Sequence, residues 1–118
     1  MAEVKIWHNP RCSKSRAALS LLNEIKIDKE IVKYLESNPT KEQIKELLVM
    51  LGFATAKELM RTKEDIYKEL NLKDETDEEK LIEAMVKHPK LIERPIIIKG
   101  DKAIIARPPE RVTEFVKA

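Results

Sequence analysis

One cysteine, five aromatic residues and no apolar run near the length of a membrane span set the first limits on this 118-residue chain. The single cysteine, Cys12, cannot close an internal disulfide, and a lone thiol suits a reducing compartment, so a cytoplasmic protein is expected. One Cys and two distant His do not make a ligand set, so no metal is expected. Trp7, Tyr34, Phe53, Tyr67 and Phe115 are too few for base-stacking platforms, and a formal net charge of +2 supplies no global field for nucleic acid. The apolar stretches fall well short of the roughly 18 residues of a membrane span, and MAEVKIW has no signal-peptide core. Neither a nucleic acid nor a membrane is expected as a partner.

What is present is enough for one folded domain. With 42% hydrophobic and 37% charged residues the chain is too apolar to stay disordered, and its length fits a single domain over residues 1–118. The core is expected from the 31 Ile, Leu and Val residues. Charge falls in blocks: residues 1–57 carry +3, residues 58–83 carry −5, and residues 84–118 carry +4. Terminal blocks brought together would make a local positive site suited to anions.

Val4 and Ile6 alternate in a strand that Asn9-Pro10 stops; from Ser13 onward Ala17, Ala18, Leu21, Leu22 and Ile25 recur at helical spacing. Cys12 therefore sits where a helix begins. A second strand over 29–35 completes a β-α-β unit with parallel strands and a right-handed crossover. The middle, about residues 40–88, reads as a helical insert of four short helices, each opened by an apparent capping box: Thr40-x-x-Gln43, Thr55-x-x-Glu58, Thr62-x-x-Asp65 and Thr76-x-x-Glu79. Gly52 and His88 are the expected C-terminal caps of the first and last. PIIIKGDKAIIA then reads as two buried strands turning at Lys99-Gly100-Asp101-Lys102, and Pro108-Pro109 open a final helix with Val112, Phe115 and Val116. The expected fold is α/β, a mixed four-stranded sheet with the first two strands parallel and the last two antiparallel.

A cysteine is nucleophilic as its thiolate. At Cys12 the free N–H groups of the helix start and the nearby His8, Arg11, Lys14 and Arg16 all favour that anion. The bland alternative, a small buried hydrophobe at a strand–helix junction, is the commoner fate of a free cysteine. Cys12-x-x-Ser15 has the spacing of a redox dithiol with the second sulfur replaced by oxygen, and serine cannot close a disulfide. A two-electron reduction consumes two thiols, so the second must come from outside, as glutathione or a protein thiol. A Cys-x5-Arg phosphate loop is excluded, because position 18 is Ala.

Six arginines stand against 17 lysines, and three hold special places. Arg61 lies between two helix starts, Arg94 precedes Pro95 and a strand, and Arg107 follows the next strand. Guanidinium binds oxyanions bidentately, so three such groups near one thiolate would hold a tetrahedral anion; singly, each could equally be an ordinary surface or capping arginine. Pro95 is a candidate for a cis peptide, although trans is the expectation from base rates, since only about 5–6% of X-Pro bonds are cis. His8 could assist Cys12 by ion-pairing.

HNPRCSKSR around Cys12, LMR ending at Arg61, IERPIII with Arg94 and Pro95, and IIARPPE with Arg107 together resemble the glutaredoxin-coupled arsenate reductase family, over nearly the whole chain. The tighter match is to uncharacterised arsenate-reductase-like members, since Arg11, Ser13 and Lys14 replace smaller, uncharged neighbours. The resemblance implies a thioredoxin-like, glutaredoxin-type fold and an oxidoreductase. Cys12 would attack arsenate, Arg61, Arg94 and Arg107 would hold the oxyanion, and His8 would keep Cys12 ionised, with Ser15, Arg16 and Pro95 in support. Glutathione as co-substrate and glutaredoxin would supply the electrons, with no tightly bound cofactor, in a monomer. The alternatives are a glutathione-dependent thiol-disulfide oxidoreductase, or a non-enzymatic regulator that binds a protein partner; the regulatory form uses a Cys-x-x-Cys switch that Ser15 removes.

Overall fold

A computed structural model describes residues 3–117, and the chain forms two compact units, one from the residues up to Ser37 together with those from Arg94 onward, the other Asn38–Glu93. The first unit holds a mixed four-stranded sheet in the order β2-β1-β3-β4. Its strands are β1 (Val4–Trp7), β2 (Lys29–Val32), β3 (Ile96–Lys99) and β4 (Lys102–Ile105). β1 runs parallel to β2 in the register Ile6↔Ile31 and antiparallel to β3 in the register Ile6↔Ile97; β3 and β4 are antiparallel, with Ile97↔Ile104. Helix α1 (Ser13–Ile25) and helix α6 (Arg111–Lys117) lie against one face. There Val4, Ile6 and Ile97 from alternate strand positions bury against Ala18, Leu22, Ala106, Val112 and Val116. The α/β class and the strand directions follow the sequence pattern.

Five expectations are corrected in this unit. The second strand stops at Val32, where its pairing with Trp7 ends, and a one-turn helix α2 (Tyr34–Ser37) follows, its Glu36 and Ser37 N–H groups donating to the Lys33 carbonyl. Tyr34 kept the period-2 pattern alive because it does face inward: its ring stacks on Trp7 with centroids 5.8 Å apart. The core is accordingly not aliphatic alone. β4 is only partly buried, as an edge strand must be. The Arg94–Pro95 bond is cis rather than trans, and so is Arg107–Pro108. The prolines precede the last helix instead of lying within it, accepting from the Arg111 and Val112 N–H groups at 3.1 and 3.0 Å.

The second unit contains α3 (Lys41–Leu51), α4 (Asp65–Glu69) and α5 (Glu78–Lys87), with 3-10 turns between them at Ala56–Leu59 and Leu72–Asp74 and after them at Pro89–Leu91. Ile44 and Leu47 of α3 and Leu81, Ile82 and Met85 of α5 are buried at helical spacing. A bridge between Met60 and Ile92 ties the middle of the segment to its end, and Arg61 N–H donates to the Leu91 carbonyl at 2.7 Å.

The capping pattern holds fully at one of the four places. Thr40 and Gln43 make the reciprocal box, and Gly52 closes α3 at φ 73°, a left-handed position glycine takes without steric cost. Thr55 caps a 3-10 turn, while Glu58 reaches back to Ala54 N–H rather than to the cap residue. α4 starts after Glu64, not Thr62, and the Glu64 carboxylate makes no capping bond but pairs with Arg61. α5 is capped by Asp77 in place of Thr76, its carboxylate accepting from Glu79 N–H at 3.0 Å. His88 is the C-terminal cap residue, through its backbone N–H to Ala84.

Glu78 joins two elements of this unit, accepting from Ala56 N–H and Thr55 Oγ–H, each at 2.7 Å. Glu78→Ala is expected to cost about 1–2 kcal/mol of unfolding free energy, since one of the freed donors is partly buried. Urea titration checks this, and an unmoved midpoint would contradict it.

Candidate active site

The registers carry the predicted residues of the first unit to one end of the sheet. β1 and β2 end there in parallel, antiparallel β3 begins there, and β4 returns there. The loop from His8 to Cys12 thus leaves β1 at the end where Arg94 and Pro95 enter β3 and where Arg107 leaves β4. The Arg107 Nε–H donates to the Arg94 carbonyl at 2.8 Å, and Ala106 N–H donates to the Pro95 carbonyl at 2.9 Å, so the two Arg-Pro segments are bound side by side.

Cys12 is the N-cap residue of α1, in extended conformation (φ −94°, ψ 122°) and half-buried. Its N–H donates to the Asn9 carbonyl and its own carbonyl accepts from Arg16 N–H, both at 3.0 Å. Its side chain makes no capping bond, and the first turn of the helix contains no acidic residue. Asn9 also accepts from Arg11 N–H through its side-chain oxygen at 3.0 Å, and Arg16 Nη1 donates to the Pro10 carbonyl at 2.9 Å. The loop is therefore fixed by hydrogen bonds at Asn9, Pro10, Arg11 and Cys12, and the sulfur is offered at the positive end of a 13-residue helix.

Ser15, the third residue of α1, is wholly buried, and so is almost all of His8. Asn9 N–H donates to Ser15 Oγ at 3.0 Å, and Ser15 Oγ lies 2.7 Å from His8 Nδ1. Burial, followed by the charges of Lys33 and Arg16, holds the His8 pKa below its usual 6.5. The lowered pKa favours the neutral imidazole and so lends no support to the expected ion pair between His8 and Cys12. Lys33, which follows β2, was not picked out by sequence reasoning; only the parallel pairing of β2 with β1 brings it to the ring.

Arg94 Nε and Nη1 are buried and have no hydrogen-bond partner among the described residues. Burying donors of a charged group without acceptors is costly, and a bound anion would remove that cost. Arg61 belongs to the second unit, where its guanidinium meets the carboxylates of Glu64 and Glu93, each at 3.4 Å. A cavity of about 510 Å³ in that unit, lined by Thr62, Tyr67, Lys68, Asn71 and Lys73, includes none of the predicted site residues. Among the described residues no three of His, Cys, Asp and Glu gather as metal ligands, and no helix is long and apolar enough to cross a membrane.

Residues 7–115 match the ArsC family. The chain is 56% identical over 115 residues to the uncharacterized protein YfgD of Escherichia coli K12, covering 97% of both chains. It is 50% identical over 113 residues to an arsenate reductase of Neisseria meningitidis, covering 95% of this chain and 97% of the relative. Among solved structures, the arsenate reductase from Vibrio cholerae superimposes with a TM-score of 0.92 at 47% identity, over 96% of this chain and 97% of that one.

Proposed function

The chain belongs to the ArsC family, and from that premise we propose that it reduces arsenate to arsenite through a covalent adduct on Cys12, with glutathione and glutaredoxin as electron donors. The observation that carries the proposal is the pair of buried, unaccepted Arg94 nitrogens at the end of the sheet where Cys12 is displayed. A group so placed is suited to an oxyanion, because guanidinium offers two parallel N–H bonds to a tetrahedral anion. Arg107, tied to the Arg94 backbone, stands at the same end and is a second candidate.

In this mechanism the Cys12 thiolate attacks arsenic, an S–As bond forms and an arsenate hydroxyl, taking up one proton from solvent, leaves as water. Arg94 and Arg107 neutralise the charge on the remaining oxygens. Glutathione thiolate then attacks Cys12 Sγ; the S–As bond breaks with its electron pair left on arsenic, which departs as arsenite in the lower oxidation state. The two electrons come from the two sulfurs, now joined as a mixed disulfide, and glutaredoxin returns Cys12 to its thiol. Ser15 cannot perform that last step, which is why an external thiol is needed. Purified protein given arsenate, glutathione and glutaredoxin is expected to form arsenite well above the rate of the mixture without it. An equal rate would refute the proposal.

A further inference from the structure

Between Val4 and Asn23 the chain holds four lysines and arginines and no aspartate or glutamate. Of these cations, Lys5 lies within β1 and Arg16 has one guanidinium nitrogen engaged by the Pro10 carbonyl. Arg11 and Lys14 differ from both. They flank Cys12, one residue before it and two after, both are exposed, and among the described residues neither side chain has a hydrogen-bond or ion-pair partner. Their Cα atoms lie within about 8 Å of that of Cys12, since consecutive Cα atoms are about 3.8 Å apart, and the Debye length at physiological salt is about 8 Å. Buried and exposed cations have different uses. The two buried Arg94 nitrogens act on an anion that has already entered, whereas exposed charges steer one as it approaches and change its rate of encounter more than its affinity. We infer that Arg11 and Lys14 are specificity-determining residues for the entering thiol, selecting one that carries a carboxylate over neutral or cationic thiols.

The inference rests on the thiol-dependent reduction proposed above and assigns the charge class of its co-substrate to two residues. In the step concerned the entering thiolate forms an S–S bond to Cys12 Sγ, and the group that leaves takes the electron pair of the broken bond. Every thiolate therefore brings one negative charge to Cys12. A carboxylate on the same molecule brings another, which only a positive surround makes favourable; an ammonium group brings the opposite charge and is repelled. The nearest acidic residues along the chain are Glu3 and Glu24, so nothing close in sequence offsets Arg11 and Lys14. Both backbone positions are held: the Arg11 and Cys12 N–H groups donate to Asn9, and Lys14 belongs to the first turn of α1.

With one cysteine in the chain, methyl methanethiosulfonate converts Cys12 alone to its methyl disulfide. Replacement of the methylthio group is followed by intact mass with 3-mercaptopropionate, 2-mercaptoethanol, cysteamine and glutathione, each rate expressed per thiolate. No arsenate is present, so a failure of arsenate reduction and a failure of this inference are read separately. Arg11 and Lys14 are exposed and unpartnered, so their variants should fold as the wild type does. In Arg11→Ala/Lys14→Ala the preference for 3-mercaptopropionate over cysteamine is expected to fall about five- to tenfold, with glutathione slowed relative to 2-mercaptoethanol. In Arg11→Glu/Lys14→Glu it should shift further toward cysteamine. Added salt should shrink the wild-type preference more than that of the alanine variant. A loosened loop or a less acidic Cys12 would slow all four thiols by one common factor. That outcome would overturn the inference, and so would an unchanged preference ratio in the alanine variant.

Discussion

Cys12→Ser is expected to lower arsenite formation at least about a thousandfold, to the level of the reaction mixture alone. The substitution removes one atom's identity and little else: serine is nearly isosteric, and the hydrogen bonds of residue 12 in the structure are backbone bonds to Asn9 and Arg16, which serine retains. Stability should therefore change little. Chemistry should change completely, because a serine oxygen is not ionised near neutrality and cannot share a disulfide, so neither the attack on arsenic nor the transfer of an electron pair to it has a route. A variant that folds like the wild type and still makes arsenite would show that the electrons pass elsewhere.

Arg94→Ala is expected to cost arsenate turnover roughly ten- to a hundredfold, the equivalent of losing a charge-assisted hydrogen bond of about 1.5–3 kcal/mol. Attack of glutathione on a preformed Cys12 disulfide should change by less than about threefold, since that step needs the sulfur more than the anion site. This contrast separates an arsenate reductase from a general thiol-disulfide oxidoreductase, which would lose little in either assay. Stability gives an independent check. Arg94 buries two guanidinium nitrogens without acceptors, so removing them should leave the unfolding midpoint unchanged or raise it. Added arsenate should stabilise the wild type and not the variant, because only a state that binds the anion gains from it. A variant destabilised as strongly as a truncated core residue would mean that Arg94 serves packing instead.

The segment from His8 to Arg16 is legible because its signals are local: alternation in Val4 and Ile6, the break at Pro10 and the helical recurrence from Ser13 place Cys12 at the helix start. Arg94 and Arg107 are legible because each is tied by one peptide bond to a proline that bounds a strand. The protonation of His8 is not, because it depends on burial and on Lys33, which the parallel β1–β2 pairing brings to it across the crossover. Nor is the environment of Arg61, whose partner Glu93 is far along the chain and is brought near by the Met60–Ile92 bridge. Cap positions shifted at two threonines that have acids beside them: Asp77 caps α5 in place of Thr76, and α4 starts after Glu64 rather than at Thr62. Tyr34 misled by being apolar in the expected phase while its backbone had already turned.

The central claim is that one sulfur carries arsenic and then glutathione. Intact-mass analysis and peptide mapping, after a turnover with arsenate and glutathione but no glutaredoxin, test it most directly. The account predicts one glutathione joined by a disulfide to the Cys12 peptide, formed only when arsenate is present and in equal amount to the arsenite released. Arsenite accumulating while Cys12 stays an unmodified thiol would contradict it.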